Sequence, residues 1–275
     1  MIRVADNRED LERCAEIYNV VEPDPVKVDM FSLDRGTTLM HDDDGFAYVV
    51  ESSVARSAFA MVRVHPVARG RGVGTALLEA ARERTRAIGR DSLWGRVRDA
   101  DSLGFVRRRG FEEVTREVNV LRELRPGDGA AEAGIVELGD EHLPHVYDLC
   151  AECIPEIHVP LLGEVPPYEQ WREQETKLSP VAFGAFDGPE LVGYARLYET
   201  GLPHRLDHGL TAVRRTHRRR GIATALKQTQ IAWAAEHGYR ELLSDMVEGN
   251  APMRALNEQL GYRPLPALIV VSRTA

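Results

Sequence analysis

Two segments of the sequence have the residue types and spacing of a phosphate-binding turn. One contains Val64, Arg69, Gly70, Arg71, Gly72, Val73, Gly74 and Thr75, and the other contains Val213, Arg218, Arg219, Arg220, Gly221, Ile222, Ala223 and Thr224. In each segment a strand-like run ends at valine, and a turn leads directly into a helical pattern. The unpaired N–H groups and the positive end of such a helix attract an anion. Since glycine lets the backbone approach closely and arginine adds charge, a pyrophosphate is the predicted ligand.

The two turns belong to an internal repeat, which makes each of them more significant than a single glycine-rich turn. The strand-ending valine, the first arginine and the glycine before the helix recur 149 residues apart. Both copies continue through a helical pattern to a glycine, a short strand-like run, a polar helix and a glycine–aromatic pair. The pattern predicts two copies of one β-α-α-β-β-β-α-β-α-β unit. The fold class is therefore α/β, with a mixed sheet flanked by helices in each copy.

The predicted domains are residues 1–125 and 134–275, joined by a linker at 126–133 that is rich in Pro, Gly and Ala. From first strand to strand-ending valine, the first copy is 16 residues shorter than the second. The predicted strands there are Thr37–Met40, Gly45–Glu51 and Ser57–Val64 in the first copy. In the second copy they are Val181–Phe186, Leu191–Glu199 and His208–Val213.

The two turns resemble the acyl-CoA pyrophosphate loop of the GNAT superfamily, the CoA-dependent N-acyltransferases. That loop has the pattern Arg/Gln-x-x-Gly-x-Gly/Ala after a strand ending in Val. The segment from Asn250 to Tyr262 is similar to the next motif of the family, a helix that bears Asn and closes with Leu-Gly-aromatic. The resemblance implies two tandem GNAT-like domains and transfer of an acyl group from acetyl-CoA, as co-substrate, to an amine. It implies no metal.

Asp207 is the candidate general base, because acyl transfer from a thioester needs a deprotonated amine. It lies six residues before Val213, where the family often has a carboxylate at the start of the central strand, whereas Ala58 lies six residues before Val64. The competing interpretation is a solvated loop carboxylate. His208 is expected on the opposite face of the strand, as a surface residue.

Two asparagines complete the candidate site. Asn257 stands where the family frequently has a tyrosine that protonates the leaving thiolate, and Val106 stands there in the first copy. Asn257 cannot supply a proton but could hold a water or the CoA sulfur by a hydrogen bond. Asn250 is expected to bind the pantetheine or to cap the helix.

Composition narrows the class of protein. Among 35 basic residues only three are lysines, Lys27, Lys177 and Lys227, and the net charge of −8 opposes binding to nucleic acid. The sequence has neither a predicted membrane span nor a secretory signal, so a cytoplasmic protein, monomeric or homodimeric, is expected. Cys150 and Cys153 form a CxxC in a helical pattern, which favours two small buried residues over a zinc or redox site.

The predicted function is that of an N-acetyltransferase with a catalytic second domain and a shortened, non-catalytic first domain. Net charge is −1 for residues 1–125 and −7 for residues 126–275, which favours a small cationic amine acceptor. The alternative is a non-catalytic acyl-CoA-binding or sensing protein built from two degenerate GNAT domains.

Overall fold

A computed structural model describes residues 1–22, 24, 26, 28–31, 36–52, 56–156, 165–177, 180–200 and 202–275. The chain forms two compact units. The first comprises Met1–Thr115 and Leu268–Ala275, and the second comprises Arg116–Ala267.

The first unit is a mixed sheet with helices α1 (Arg8–Val21), α2 (Val73–Ala87) and α3 (Ala100–Arg107). Its strands are β1 (Ile2–Val4), β2 (Thr37–His41), β3 (Gly45–Glu51), β4 (Ser57–Val64), β5 (Ser92–Val97) and β13 (Leu268–Thr274). The strand order is β1-β2-β3-β4-β5-β13. The β4–β5 pair is parallel and the other described pairs are antiparallel. One apolar cluster packs against α2 and another against α1, so the helices cover both faces.

The second unit repeats this arrangement with α4 (Leu143–Cys153), α5 (Tyr168–Lys177), α6 (Ile222–Glu236) and α7 (Ala251–Gln259). Its strands are β6 (Glu112–Glu123, from Arg116 onward), β7 (Ile135–Glu137), β8 (Val181–Asp187), β9 (Glu190–Glu199), β10 (Arg205–Val213), β11 (Glu241–Val247) and β12 (Arg263–Pro264). The order is β6-β11-β10-β9-β8-β7, with β12 beside β6. The β10–β11 pair is parallel. One face packs against α6 and α7, and the other against α4 and α5.

Matching glycines show how closely the two units correspond. A Cβ on Gly45 would lie 3.2 Å from Val73 and 3.0 Å from Leu77, and one on Gly193 would lie 2.5 Å from Ile222 and 3.2 Å from Leu226. In both units, therefore, a glycine allows the helix after the loop to pack directly against the neighbouring strand.

The division into units differs from the predicted boundaries at 125 and 134. The strand β6 pairs with β11 through Glu117–Glu123, so it joins the second unit before residue 125. The strand β13 pairs with β5 along Ile269–Thr274, so the end of the chain returns to the first unit. Each unit thus takes a strand from sequence that the repeat assigns to the other copy.

The segment predicted as a linker packs against the second unit. The Asp128 carboxylate lies 3.2 Å from the Arg122 guanidinium, and the Glu132 N–H donates to the Thr229 hydroxyl of α6 at 3.1 Å. A Cβ on Gly129 would meet α6 backbone at 2.5 Å, so only glycine fits there. The composition of this segment predicts a spacer. In the structure, its small residues instead allow it to pack closely against α6.

Candidate functional site

The two glycine-containing loops have the same backbone conformation. Gly72 and Gly221, which precede α2 and α6, have φ/ψ of 87°/−9° and 82°/−2°. Two residues earlier, Gly70 and Arg219 are also left-handed, with φ of 77° and 62°. The positive φ explains the glycines before the helices. The sequence repeat therefore reflects one loop geometry built twice.

The first arginine of each loop holds the turn against the strand that precedes it. Arg69 Nε donates to the Val64 carbonyl at 3.4 Å, and Arg218 Nε donates to the Val213 carbonyl at 3.0 Å. The arginine two residues further along, Arg71 in one loop and Arg220 in the other, is exposed. In the first loop, Arg109 donates to the Thr75 hydroxyl at 2.6 Å.

Space above the loops fits an anionic ligand. A Cβ built on Gly72 or Gly221 meets no described atom within 4 Å, so glycine is required there by its φ rather than by lack of room. Val73, Gly74 and Thr75 begin one helix, and Ile222, Ala223 and Thr224 begin the other. The first N–H groups of a helix have no acceptor within it and lie at its positive end, although here the Thr75 N–H donates to the Gly72 carbonyl at 3.0 Å. A pyrophosphate fits this arrangement.

The two parallel strands next to each loop, β4 and β5 in the first unit and β10 and β11 in the second, separate from each other toward the loop. Their pairing covers Ser57–Phe59 with Ser92–Trp94 in the first unit and Arg205–Asp207 with Glu241–Leu243 in the second. Beyond these pairs, β10 remains paired with β9 and β11 with β6. The six residues of β10 from 208 to 213 thus form one side of a gap about 20 Å long that leads to the loop. An extended chain with amide groups can bind along such a strand edge.

Asp207 lies at the point where the strands part. It is the third residue of β10 and is half-buried, so β10 begins three residues before the predicted start at His208, and the competing interpretation of Asp207 as a solvated loop carboxylate is wrong. It pairs with Leu243 of β11 on one side and with Tyr198 of β9 on the other. Its neighbours Leu206 and His208 face α6, so Asp207 faces α4 and α5.

A bulge in β10 corrects the comparison of Asp207 with Ala58. The register of β10 against β9 shifts by one residue between His208 and Thr211. Because of this extra residue, the residue of β4 that matches Asp207 is Phe59, the third of the parallel pairs. Counting back from the valine gives Ala58 because a count takes no account of a bulge. The first unit therefore has an aromatic ring where the second has a carboxylate.

A cluster that the sequence analysis did not identify lies next to Asp207. The hydroxyls of Tyr194 and Tyr198 on β9 donate to the two carboxylate oxygens of Glu175 on α5, the Tyr198 bond being 3.0 Å. Arg196 Nε lies 3.6 Å from the same carboxylate. Burial and the Glu175 charge raise the pKa of both tyrosines. The alternation of polar residues along β9 places them on one face of the strand and could have been noticed in the sequence. Their partner on α5 could not be found from sequence spacing.

Asn257 lies on the other face of the sheet from Asp207. It is fully buried in α7, where its Nδ2 lies 4.0 Å from Met246 Sδ, and its Oδ1 has no hydrogen-bond partner among the described residues. The two residues predicted to be catalytic are therefore not in one pocket on one face. They lie on opposite sides of the region where β10 and β11 part.

His208 is buried, so the expectation of a surface histidine is wrong. Its Nδ1 lies 3.0 Å from Gln230 Oε1 of α6, and its Nε2 contacts the Tyr262 hydroxyl. The Gln230 oxygen accepts the Nδ1 proton, so Nε2 accepts from Tyr262. Burial and nearby Lys227 hold the pKa of His208 well below its ordinary value. The ring is therefore neutral at neutral pH.

Asn250 caps α7, which is one of its two predicted roles. Its Oδ1 accepts from the Met253 N–H at 3.2 Å. The capping bond uses the side-chain oxygen, so a contact with pantetheine would have to come from the amide NH2. That contact stays a prediction.

Two family models, one for each half of the chain, match the sequence. A model described as "Acetyltransferase (GNAT) family" matches residues 143–262, and one described as "Acetyltransferase (GNAT) domain" matches residues 34–113. Together they cover most of the sequence. The chain belongs to the GNAT acetyltransferase family, as a tandem member with two GNAT domains.

Solved structures share the fold across the whole chain. A GCN5-related N-acetyltransferase from Sphaerobacter thermophilus is 18% identical, with a TM-score of 0.78, covering 100% of this chain and 95% of that one. A tandem GNAT protein from the clavulanic acid biosynthesis pathway is 22% identical, with a TM-score of 0.78, covering 100% and 98%. The glucosamine N-acetyltransferase region of a fungal β-N-acetylglucosaminidase is 14% identical, with a TM-score of 0.75, covering 99% and 38%. No curated protein matches the sequence.

Within the described part of the chain, no helix has the length and apolar character needed to cross a bilayer.

Proposed function

We propose that the second unit transfers an acetyl group from acetyl-CoA to a small cationic amine, with Asp207 as general base. The observation that carries this proposal is the position of Asp207. It lies at the last paired residues of the parallel strands β10 and β11, and the rest of β10 leads from it to the Gly221 loop. A pyrophosphate bound at the loop would direct an extended pantetheine arm along the gap toward Asp207.

Asp207 faces α4 and α5, so the amine is expected to enter from that face. In the proposed reaction, the Asp207 carboxylate takes a proton from the ammonium, directly or through a water, and the neutral nitrogen attacks the thioester carbonyl. Asp207 and the negative charge of the second half favour a cationic acceptor. Polyamines, amino sugars and peptide N-termini are the acceptor classes to test first.

The first unit is proposed to bind acyl-CoA without transferring it. Its loop has the conformation of the second loop, which supports binding. In the first unit, Phe59 takes the position of Asp207 and Val106 takes the position of Asn257. These two positions therefore supply neither a base nor a polar group for the thiol.

Release of CoA thiol from acetyl-CoA in the presence of the three amine classes tests the proposal. Acetylation of one amine, identified by mass, is the expected result. Acetyl-CoA binding by calorimetry without acetylation of any amine would contradict transfer and favour the acyl-CoA-binding alternative.

A further inference from the structure

The α6–α7 face of the second unit buries a polar cluster at the parted strands. Its members are His208 of β10, Lys227 and Gln230 of α6, Asn257 of α7 and Tyr262, each less than a tenth exposed. Lys227 Nζ, Gln230 Nε2 and Asn257 Oδ1 have no hydrogen-bond partner among the described residues. Buried polar atoms without partners are costly, so three in one cluster point to a ligand group that they contact during function.

The first unit shows that the fold does not require this cluster. The sixth and ninth residues of α2 are Leu78 and Ala81, at the positions of Lys227 and Gln230 in α6. Val106, Phe111 and Ala60 replace Asn257, Tyr262 and His208. The chain thus forms the same fold twice, once with apolar residues at these positions and once with polar ones. Only the polar residues lose hydration free energy on burial.

Lys227 is the member that can move a proton. Its Nζ lies 5.5 Å from the centre of the Tyr262 ring, and its electrostatic partners lie just past the last β10–β11 pair, His208 on one strand and Asp245 on the other. The amine therefore lies beside Tyr262 on the α6–α7 face, close enough to both parted strands to interact with their charged groups. An arginine there could not lose its proton near neutral pH, and this chain, with 35 basic residues, has only three lysines.

We propose that Lys227 is the acid that protonates the departing CoA thiolate in the second unit, which rests on the proposed acetyl transfer. Asp207 lies on one face of the gap and Lys227 on the other. The neutral amine attacks from the Asp207 face and forms the carbon–nitrogen bond, and the carbon–sulfur bond breaks with its electron pair going to sulfur. The nitrogen then loses its second proton to solvent, and Asp207 releases to solvent the proton that it took from the ammonium. A proton then passes from the Lys227 ammonium to sulfur, and the Lys227 amine recovers a proton from solvent.

The electrostatics agree with this role. Burial lowers the pKa of Lys227 to about 7, with Asp245 acting in the opposite direction, so acid and base forms are both populated near neutral pH. The facing His208 is neutral and the burial-raised pKa of Tyr262 keeps its hydroxyl protonated, so neither competes for the proton. An acid with a pKa near the working pH is the most effective kind.

Lys227→Met tests the assignment, with Leu78→Met at the matching position of the first unit as control. We expect kcat to fall about 10²- to 10⁴-fold in Lys227→Met and to stay unchanged in Leu78→Met. The wild-type kcat should decline as pH rises above about 7 and Lys227 loses its proton, and this alkaline decline should disappear in Lys227→Met. A variant that keeps the wild-type pH profile would overturn the proposal.

A second measurement does not depend on turnover. Since the chain has only three lysines, the NMR signal of the Lys227 amine in lysine-labelled protein gives its pKa, measured in chains that carry Gly72→Glu to remove binding by the first unit. An amine that contacts the CoA sulfur should change its pKa when CoA binds, and should change it less when CoA that lacks the sulfur binds. Equal changes with the two ligands would refute the role of Lys227, whereas a sulfur-dependent change in a protein that acetylates no amine would refute only the proposed transfer.

Discussion

The two units of this protein share one backbone design and differ in the residues placed where their parallel strands part. Both have a left-handed glycine before the helix, an arginine bonded to the strand-ending valine and a three-residue parallel pair. At the last pair the first unit has Phe59 and the second has Asp207. The comparison separates what the fold needs for a CoA loop from what the proposed chemistry adds.

The largest expected effect tests whether the two loops act independently. Gly221→Glu places a side chain at φ 82° and a carboxylate where the pyrophosphate is expected, so it should abolish CoA binding in the second unit and all acetyl transfer. Gly72→Glu, the matched control, should leave transfer intact. Calorimetry should give two bound CoA molecules for the wild type and one for each variant.

Unchanged stoichiometry in both variants would exclude the loops as CoA sites. A single molecule bound by the wild type and lost only in Gly221→Glu would show instead that the first loop is formed but does not bind CoA.

Asp207→Asn should have the next largest effect. The amide keeps the shape of the side chain but cannot accept the proton, so turnover should fall about 10²- to 10⁴-fold while CoA affinity stays near wild type. Because a deprotonated acceptor needs no base, mutant and wild-type rates should converge as pH approaches about 10, the usual pKa of a lysine-like amine. Full activity at pH 7 would show that another group is the base.

Loss of both CoA binding and activity in Asp207→Asn would mean that the carboxylate supports the strand. Phe59→Leu, at the matching position of the first unit, is the control. It should leave transfer by the second unit unchanged.

The repeat and the loops could be predicted from sequence because they depend on local rules. A left-handed residue favours glycine, a strand before a helix ends at an apolar residue, and both recur at a fixed offset. Strands β3 and β4 match their predicted bounds for the same reason.

The site was only partly predictable, because its remaining features depend on tertiary pairing. The bulge after His208 changes which residue matches Asp207 and is visible only in the register against β9. The Glu175 cluster joins α5 to β9, and no spacing rule links them. Lys227 reads as an ordinary basic residue in sequence, since its helix alone does not reveal that it faces the sheet core.

The polar cluster of the second unit should cost stability in a pH-dependent way. Lys227 has a pKa of about 7 in the folded chain against an ordinary 10.5, so the unfolded chain binds more protons between these values. The free energy of unfolding contributed by Lys227 therefore rises with pH across that window, and below pH 7 its full cost applies, at most about 5 kcal/mol.

Lys227→Leu, which introduces the residue of the first unit, should therefore be more stable than wild type at pH 6. The pH-dependent part of the difference should disappear as pH approaches 10.5. Chemical denaturation of both chains at several pH values measures it. A difference that does not vary with pH would show that Lys227 is charged in the folded chain, with a compensating partner.

The smallest expected effect distinguishes positioning from packing in the Glu175 cluster. Tyr198 and Tyr194 each donate one hydroxyl to Glu175, so Tyr198→Phe and Tyr194→Phe should each cost about 1 kcal/mol of stability. The two differ in position, because Tyr198 pairs with Asp207 and Tyr194 with Ala212, five residues further along β10. Tyr198→Phe should therefore raise KM for the amine by less than about tenfold, with kcat little changed, and Tyr194→Phe should leave KM unchanged. Equal shifts of KM in both variants would mean that the cluster acts only by holding α5 on the sheet, and an unchanged KM in both would move the acceptor away from Tyr198.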